Sequence, residues 1–141
     1  GSEGSEMQQF RYPFFMDSDN GGTVFIVDVF NTRVQQWREN SGLRSIGEWG
    51  VDLGQLYRPK GVCVDKNGLV FVSDSVLGVI QLFNSNGDFQ AVLGTEKGEV
   101  LKWKTPMGIA VDKQQRLYVV EMLPNRVRVY EILSDQMLEQ K

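Results

Sequence analysis

"PKGVCVDKNGLVFVSD", Pro59 to Asp74, decides the reading of this chain. Gly61–Val64 and Val70–Ser73 are short, β-branched and strand-like, and "DKNG" between them carries the Asp, Asn and Gly that tight turns use. The same sixteen residues recur on both sides. "PMGIAVDKQQRLYVVE" (Pro106–Glu121) follows after 47 residues (106 − 59), and "PFFMDSDNGGTVFIVD" (Pro13–Asp28) precedes by 46 (59 − 13). Asp19, Asp65 and Asp112 share one position of the unit, and Asp28, Asp74 and Glu121 share another. Downstream, "RVQQW" (Arg33–Trp37), "VIQLF" (Val79–Phe83) and "RVRVY" (Arg126–Tyr130) keep the register, while Gly50 and Gly54 map onto Gly94 and Gly98.

Each unit holds four strand-like runs, in the middle copy Gly61–Val64, Val70–Ser73, Val79–Phe83 and Phe89–Leu93. Four strands in a repeat of this length are the mark of a propeller blade. The expected architecture is all-β: three four-stranded blades over residues 9–56, 57–103 and 104–141, the last with a C-terminal tail. Glu131–Lys141 either adds the fourth strand of blade 3 or trails from it. Residues 1–8 read in two ways. Gly-Ser-Glu-Gly-Ser before Met7 resembles a linker-like tag. Yet Gly4 lies 46 residues before Gly50, and "QQFRYP" aligns with "GQLYRP", as in a loop between blades. Blades bury their faces only against other blades, so three of them predict a larger assembly. The missing half is a second copy or the rest of a longer chain.

Composition narrows the chemistry. With 141 residues, a net charge of -3 and no basic run, the chain lacks the broad electrostatic footprint of a nucleic-acid binder. No apolar run approaches the ~20 residues of a membrane-spanning helix. Cys63 is the one cysteine and reads as strand packing. Histidine is absent, which removes Ser-His-Asp chemistry and the usual general base. No metal site or cofactor is expected. The recurring carboxylates Asp19, Asp65 and Asp112 sit in turns, where Asp accepts backbone N–H bonds, and Asp28, Asp74 and Glu121 cap the following turn. All six are expected to be structural rather than catalytic or calcium-binding. "GEWGVDLG" (Gly47–Gly54) lacks the Lys-Ser/Thr of a phosphate loop and reads as an inter-blade connection.

The remaining signal is apolar. Between the second and third strands the units carry Val29-Phe30, Val76-Leu77 and Met122-Leu123, where turns elsewhere in the chain carry Asn and Gly. The inter-blade connections add Trp103, among others, on the same side of a propeller. A contiguous apolar patch on one face marks a docking surface. The expected partner-binding set is Val29, Phe30, Val76, Leu77, Trp103, Met122 and Leu123, with Arg33 and Arg126 as polar anchors.

The segments "RPKGVCVD…GLVFVSD", "TPMGIAVD…RLYVVE…NRVRVY" and "VD…NTRVQQW" resemble the NHL-repeat family of β-propellers. Asn125–Val127 carries its Asn-Arg-Val pattern and Asn31–Val34 nearly so, whereas the middle unit has "LGVI" there. The likeness runs from about residue 9 to 131. It implies a six-bladed ring of which this is half, and a structural Asp–Arg contact in each repeat. It also implies a bacterial source and the periplasm or cell envelope. Some NHL propellers bind RNA through a basic face, and some are lyases holding zinc and calcium through histidines. The reading is therefore a non-enzymatic protein-interaction scaffold, expected to be a homo-oligomer, with a propeller lyase or an RNA-binding domain as the alternatives.

Overall fold

The computed structural model describes residues 1–134 and 137–140. After a short parallel pair, β1 (Ser2–Glu3) and β2 (Gln9–Phe10), come three antiparallel four-stranded sheets. Blade 1 is β3 (Pro13–Ser18), β4 (Thr23–Asp28), β5 (Arg33–Arg38) and β6 (Gly42–Ile46). Blade 2 is β7 (Pro59–Val64), β8 (Val70–Asp74), β9 (Val79–Phe83) and β10 (Phe89–Val92). Blade 3 is β11 (Pro106–Val111), β12 (Arg116–Glu121), β13 (Arg126–Ser134) and β14 (Met137–Gln140). The C-terminal stretch thus pairs as a fourth strand, β14 on β13. Among the described residues no helix is long and apolar enough to cross a membrane.

Each blade repeats the same local devices. The first strand is bulged just after its proline, between Pro13 and Met16, Pro59 and Gly61, and Pro106 and Ile109. Proline has no N–H to give the ladder, so a strand start with a bulge is where it fits. The first hairpin is closed by an aspartate whose Oδ1 accepts two backbone N–H groups. Asp19 takes those of Gly21 and Thr23, Asp65 those of Asn67 and Leu69, and Asp112 those of Gln114 and Arg116, all within 2.8–2.9 Å.

The core lies between blades. Phe25, Val27, Val34 and Ile46 of blade 1 pack with Val62, Val70, Val72 and Phe83 of blade 2. On the other side of blade 2, Cys63, Phe71, Ile80 and Leu82 meet Ile109, Leu117, Val119 and Tyr130 of blade 3. Side chains alternate across each strand, so blade 2 spends both its faces on neighbours, and all of β8 and β9 is buried.

Residues 1–10 repeat the backbone bonds that shape the loop 47–56. Gly4 N–H donates to Phe10 O as Gly50 does to Leu56 O, and Gln9 N–H to Glu6 O as Gln55 does to Asp52 O. Gln35 holds the first loop through Gln8 N–H and Gln9 O, as Gln81 holds the second through Gly54 N–H and Gln55 O. The opening residues thus share the hydrogen-bonding geometry of the inter-blade connection 47–56.

Candidate functional site

The connections between second and third strands and those between blades emerge together. Lys102 Nζ donates to Leu77 O, and Asn31 Nδ2 to Gly4 O. Each strand connection is anchored by a buried carboxylate. Asp28 is fully buried; its Oδ1 accepts Arg11 N–H at 2.7 Å, and its Oδ2 accepts Asn31 Nδ2, Arg33 Nε and Gln35 Nε2 at 2.8, 3.0 and 3.1 Å. Glu121 accepts Lys104 N–H at 2.7 Å and Arg126 Nε at 2.6 Å. Blade 2 has no arginine at this place. There Asp74 accepts four backbone N–H groups instead, from Tyr57, Arg58, Val76 and Leu77 at 2.7–3.1 Å. A buried charge needs such partners whatever their identity.

The loops above these anchors follow one repeated backbone path. In each unit the first loop residue donates its N–H to the residue before the strand-opening proline: Val29 to Tyr12 O, Ser75 to Arg58 O, Met122 to Thr105 O. The next residue is exposed in every unit, giving Phe30, Val76 and Leu123 as equivalents; in blade 3 the preceding Met122 is exposed as well. Val29 is fully buried in the first inter-blade core and does not belong to the partner surface, a correction to the sequence reading. Trp103 likewise lies off that surface: it is 4% exposed and packs edge-on against Tyr130 at 5.7 Å. Arg33 is also not free to anchor a partner, because it is 12% exposed and committed to Asp28, Glu6 O and Gln9 O. Leu77 is half-buried, while Met122 and Arg126 remain outward.

Around Phe30 the structure assembles a group that the sequence reading missed. Tyr12 stacks on Phe30 at 5.1 Å and on Phe14 at 6.0 Å. Arg58 lies over Phe30 at 5.4 Å, and Lys60 over Phe14 at 4.9 Å and Tyr12 at 5.8 Å. The result is a ladder of three rings with a cation at each end, two contributed by blade 2 and three by blade 1. Contacts of this kind are worth about 0.5–1.5 kcal/mol each, enough to order the rings before anything binds. Partial burial, then the charge of Arg58, lowers the Lys60 pKa from its ordinary value. An open groove of about 730 Å³ runs beside the ladder, lined by Phe10, Arg11, Tyr12 and Phe30 among others. Beyond it, Val51, Leu53, Leu77 and Val100 line a second groove of about 260 Å³ with Lys102 at its rim. The signal in the sequence was available: Tyr12 and Arg58 occupy one repeat position, immediately before Pro13 and Pro59, next to the loops already singled out.

Among the described residues no group of three or more His, Cys, Asp or Glu is placed to hold a metal ion. The turn carboxylates are instead tied to protein donors. Desolvation opposes ionisation of Asp112, but bonds from Arg116 N–H, the Arg116 side chain and Tyr118 Oη outweigh it and lower its pKa to about 2. Asp19 and Glu121 are lowered in the same way against desolvation, chiefly by Thr23 and by Arg126. A carboxyl whose folded pKa lies below its unfolded value stabilises the fold above the unfolded pKa, and loses that effect as pH falls through the folded one. The melting midpoint is therefore expected to drop from about pH 4.5 down to about pH 2. Arg116→Gln should lower it at pH 7 and converge with the unsubstituted chain at about pH 2; a pH-independent difference would contradict this.

Residues 56–76, spanning β7 and β8, match the family model of the NHL repeat. Among solved structures, virginiamycin B lyase from Staphylococcus aureus aligns with a TM-score of 0.67 at 14% identity, over 92% of this chain and 40% of that one. A streptogramin B lyase aligns with a TM-score of 0.66 at 15% identity, over 89% and 38%. A chain of the nidogen/laminin complex gives 0.69 at 18% identity, over 91% and 47%. The chain thus spans less than half the length of each of these structures, and at such identities the likeness carries fold alone. The chain has the fold of a β-propeller segment, three blades of one pattern, with an NHL repeat matched in the middle blade.

Proposed function

We propose that this protein is a non-enzymatic interaction scaffold, a half-propeller that completes a six-bladed ring and captures a protein partner on its loop face. The observation that carries this reading is the ladder Arg58–Phe30–Tyr12–Phe14–Lys60, pre-ordered and exposed beside an open groove. Rings set in advance reduce the ordering cost of binding, and aromatic and arginine side chains are what interface hot spots are made of. The chemistry suits a partner segment with apolar or aromatic side chains flanked by carboxylates. One structurally similar chain comes from a protein–protein complex, that of nidogen with laminin.

The lyase reading has less support here. The S. aureus lyase is catalytically inactive when one histidine is replaced by alanine, and these 141 residues contain no histidine. RNA binding through the same face would make affinity fall steeply with salt.

Immobilised chain should retain a protein partner that Tyr12→Ser/Phe30→Ser loses at least tenfold, while circular dichroism shows that variant still folded at the assay temperature. Both rings are about half exposed and lie outside the inter-blade cores, so their loss lowers the melting midpoint without unfolding the blades. Retention equal to that of the unsubstituted chain would remove the ladder from the account.

A further inference from the structure

The two end faces of the three-blade array are built as the two halves of one blade junction. Where blade 2 packs onto blade 1 it presents Val62, Val70, Val72, Phe83 and Phe89, with Leu56 from the preceding loop. Moving back one repeat of 46 residues, these positions are Met16, Val24, Ile26, Trp37, Leu43 and Phe10. All six are apolar, and they lie on the uncovered side of blade 1, where Met16 is 60% and Trp37 43% exposed. Strand pairing confirms the shared face: Met16 lies opposite Ile26, and Trp37 opposite both Val24 and Leu43.

The other end shows the complementary half. Blade 1 presents Phe25, Val27 and Val34 to blade 2. Two repeats on, 93 residues later, the equivalents are Tyr118, Val120 and Val127, with Val120 42% and Val127 59% exposed on the far side of blade 3. Continuity with the established junction goes further than side-chain type. The loop that seals the blade 1–blade 2 junction, residues 47–56, is already in place on the uncovered side of blade 1 as residues 1–10. Gly1, Gln8, Phe10, Ile26, Trp37 and Leu43 enclose a groove of about 270 Å³ there.

We infer that the occupant of blade 1's open face is blade 3 of a second copy of this chain. Tyr118, Val120 and Val127 of one copy seat against Ile26, Trp37 and Leu43 of the other. One two-fold axis makes this contact twice, closing six blades and leaving no blade face uncovered. The inference rests on the ring-completion reading above and names what completes the ring.

Light scattering of the intact chain tests it. The expected mass is about 32 kDa, twice 16.0 kDa. Trp37→Glu and Val127→Asp each place a charge at one half of both contacts, so each is expected to give a folded 16.0 kDa monomer. Mixed in equal amounts they should regain a dimer, because one of the two contacts then joins two unsubstituted faces. Circular dichroism melts confirm that the variants fold. A monomeric unsubstituted chain would overturn the second copy as occupant. A dimer abolished by only one variant would overturn the ring itself, since a face pairing with its own kind closes no propeller.

Discussion

Asp74→Ala is expected to lower the unfolding free energy by about 3–5 kcal/mol, the largest effect of any single substitution considered. The carboxylate is fully buried, and all its hydrogen bonds come from the backbone: Tyr57 and Arg58 N–H on Oδ2, Val76 and Leu77 N–H on Oδ1. Alanine removes four acceptor contacts and leaves four donors beneath the loop face. An asparagine side chain would keep one acceptor oxygen but aim its NH₂ at two N–H groups, so Asp74→Asn is expected to lose about 2–3 kcal/mol. The blades differ here in an instructive way. Asp28 and Glu121 each have an arginine within 3.0 Å, whereas blade 2 has Gly78-Val79 in that stretch and the backbone folds in to replace the guanidinium. Urea unfolding followed by circular dichroism measures the loss. A value below about 1 kcal/mol for Asp74→Ala would mean that water replaces the carboxylate freely.

Gly61→Ala is the second large effect, about 2–4 kcal/mol, and its origin is steric. A methyl group at Gly61 would overlap Met107 O and come within 2.9 Å of Ser73 Oγ and 3.0 Å of Ile109 N. Two of these are backbone atoms of β11 in the next blade, which cannot move aside as a flexible side chain would. Ser73 Oγ also bridges the blades here, accepting Gly61 N–H and donating to Met107 O. The damage should be confined to the blade 2–blade 3 junction. Hydrogen exchange is expected to speed up in β11 and β12 while β4 and β5 stay protected. Gly68→Ala, by contrast, has open space around it and only an unfavourable φ of +80°, so about 1 kcal/mol is expected. Equal losses at the two glycines would remove the steric explanation.

The fold was legible because a blade is a local object. Its hairpins close within about twenty residues, and each turn needs its Asp and Gly, so the 46–47 spacing of Pro13, Pro59 and Pro106 carries the architecture. The site was harder to read, for physical reasons that differ by residue. Val29 and Phe30 are both apolar, and what separates them is the core between blades 1 and 2, which takes Val29 and leaves Phe30 outside. Trp103 lies in a loop on the correct side, but that loop passes over the gap between blades 2 and 3, where Tyr130 receives the indole. The ring-and-cation ladder joins residues 12 to 60 from two blades, so no single stretch contains it. Residues 1–10 were ambiguous because glycine, serine and glutamate make up flexible linkers and tight loops alike. Their hydrogen bonds to Gln35, 26 and 27 residues away, are visible only in the folded chain.

In the proposed ring the uncovered faces of blades 1 and 3 meet those of a second copy. Small-angle X-ray scattering of the intact chain at tens of micromolar tests this most directly. A closed ring of two copies predicts a radius of gyration of about 19 Å, near the compact limit for its size. A single copy near about 14 Å, or a two-copy particle well above about 22 Å with its blades joined edge to edge, would contradict it.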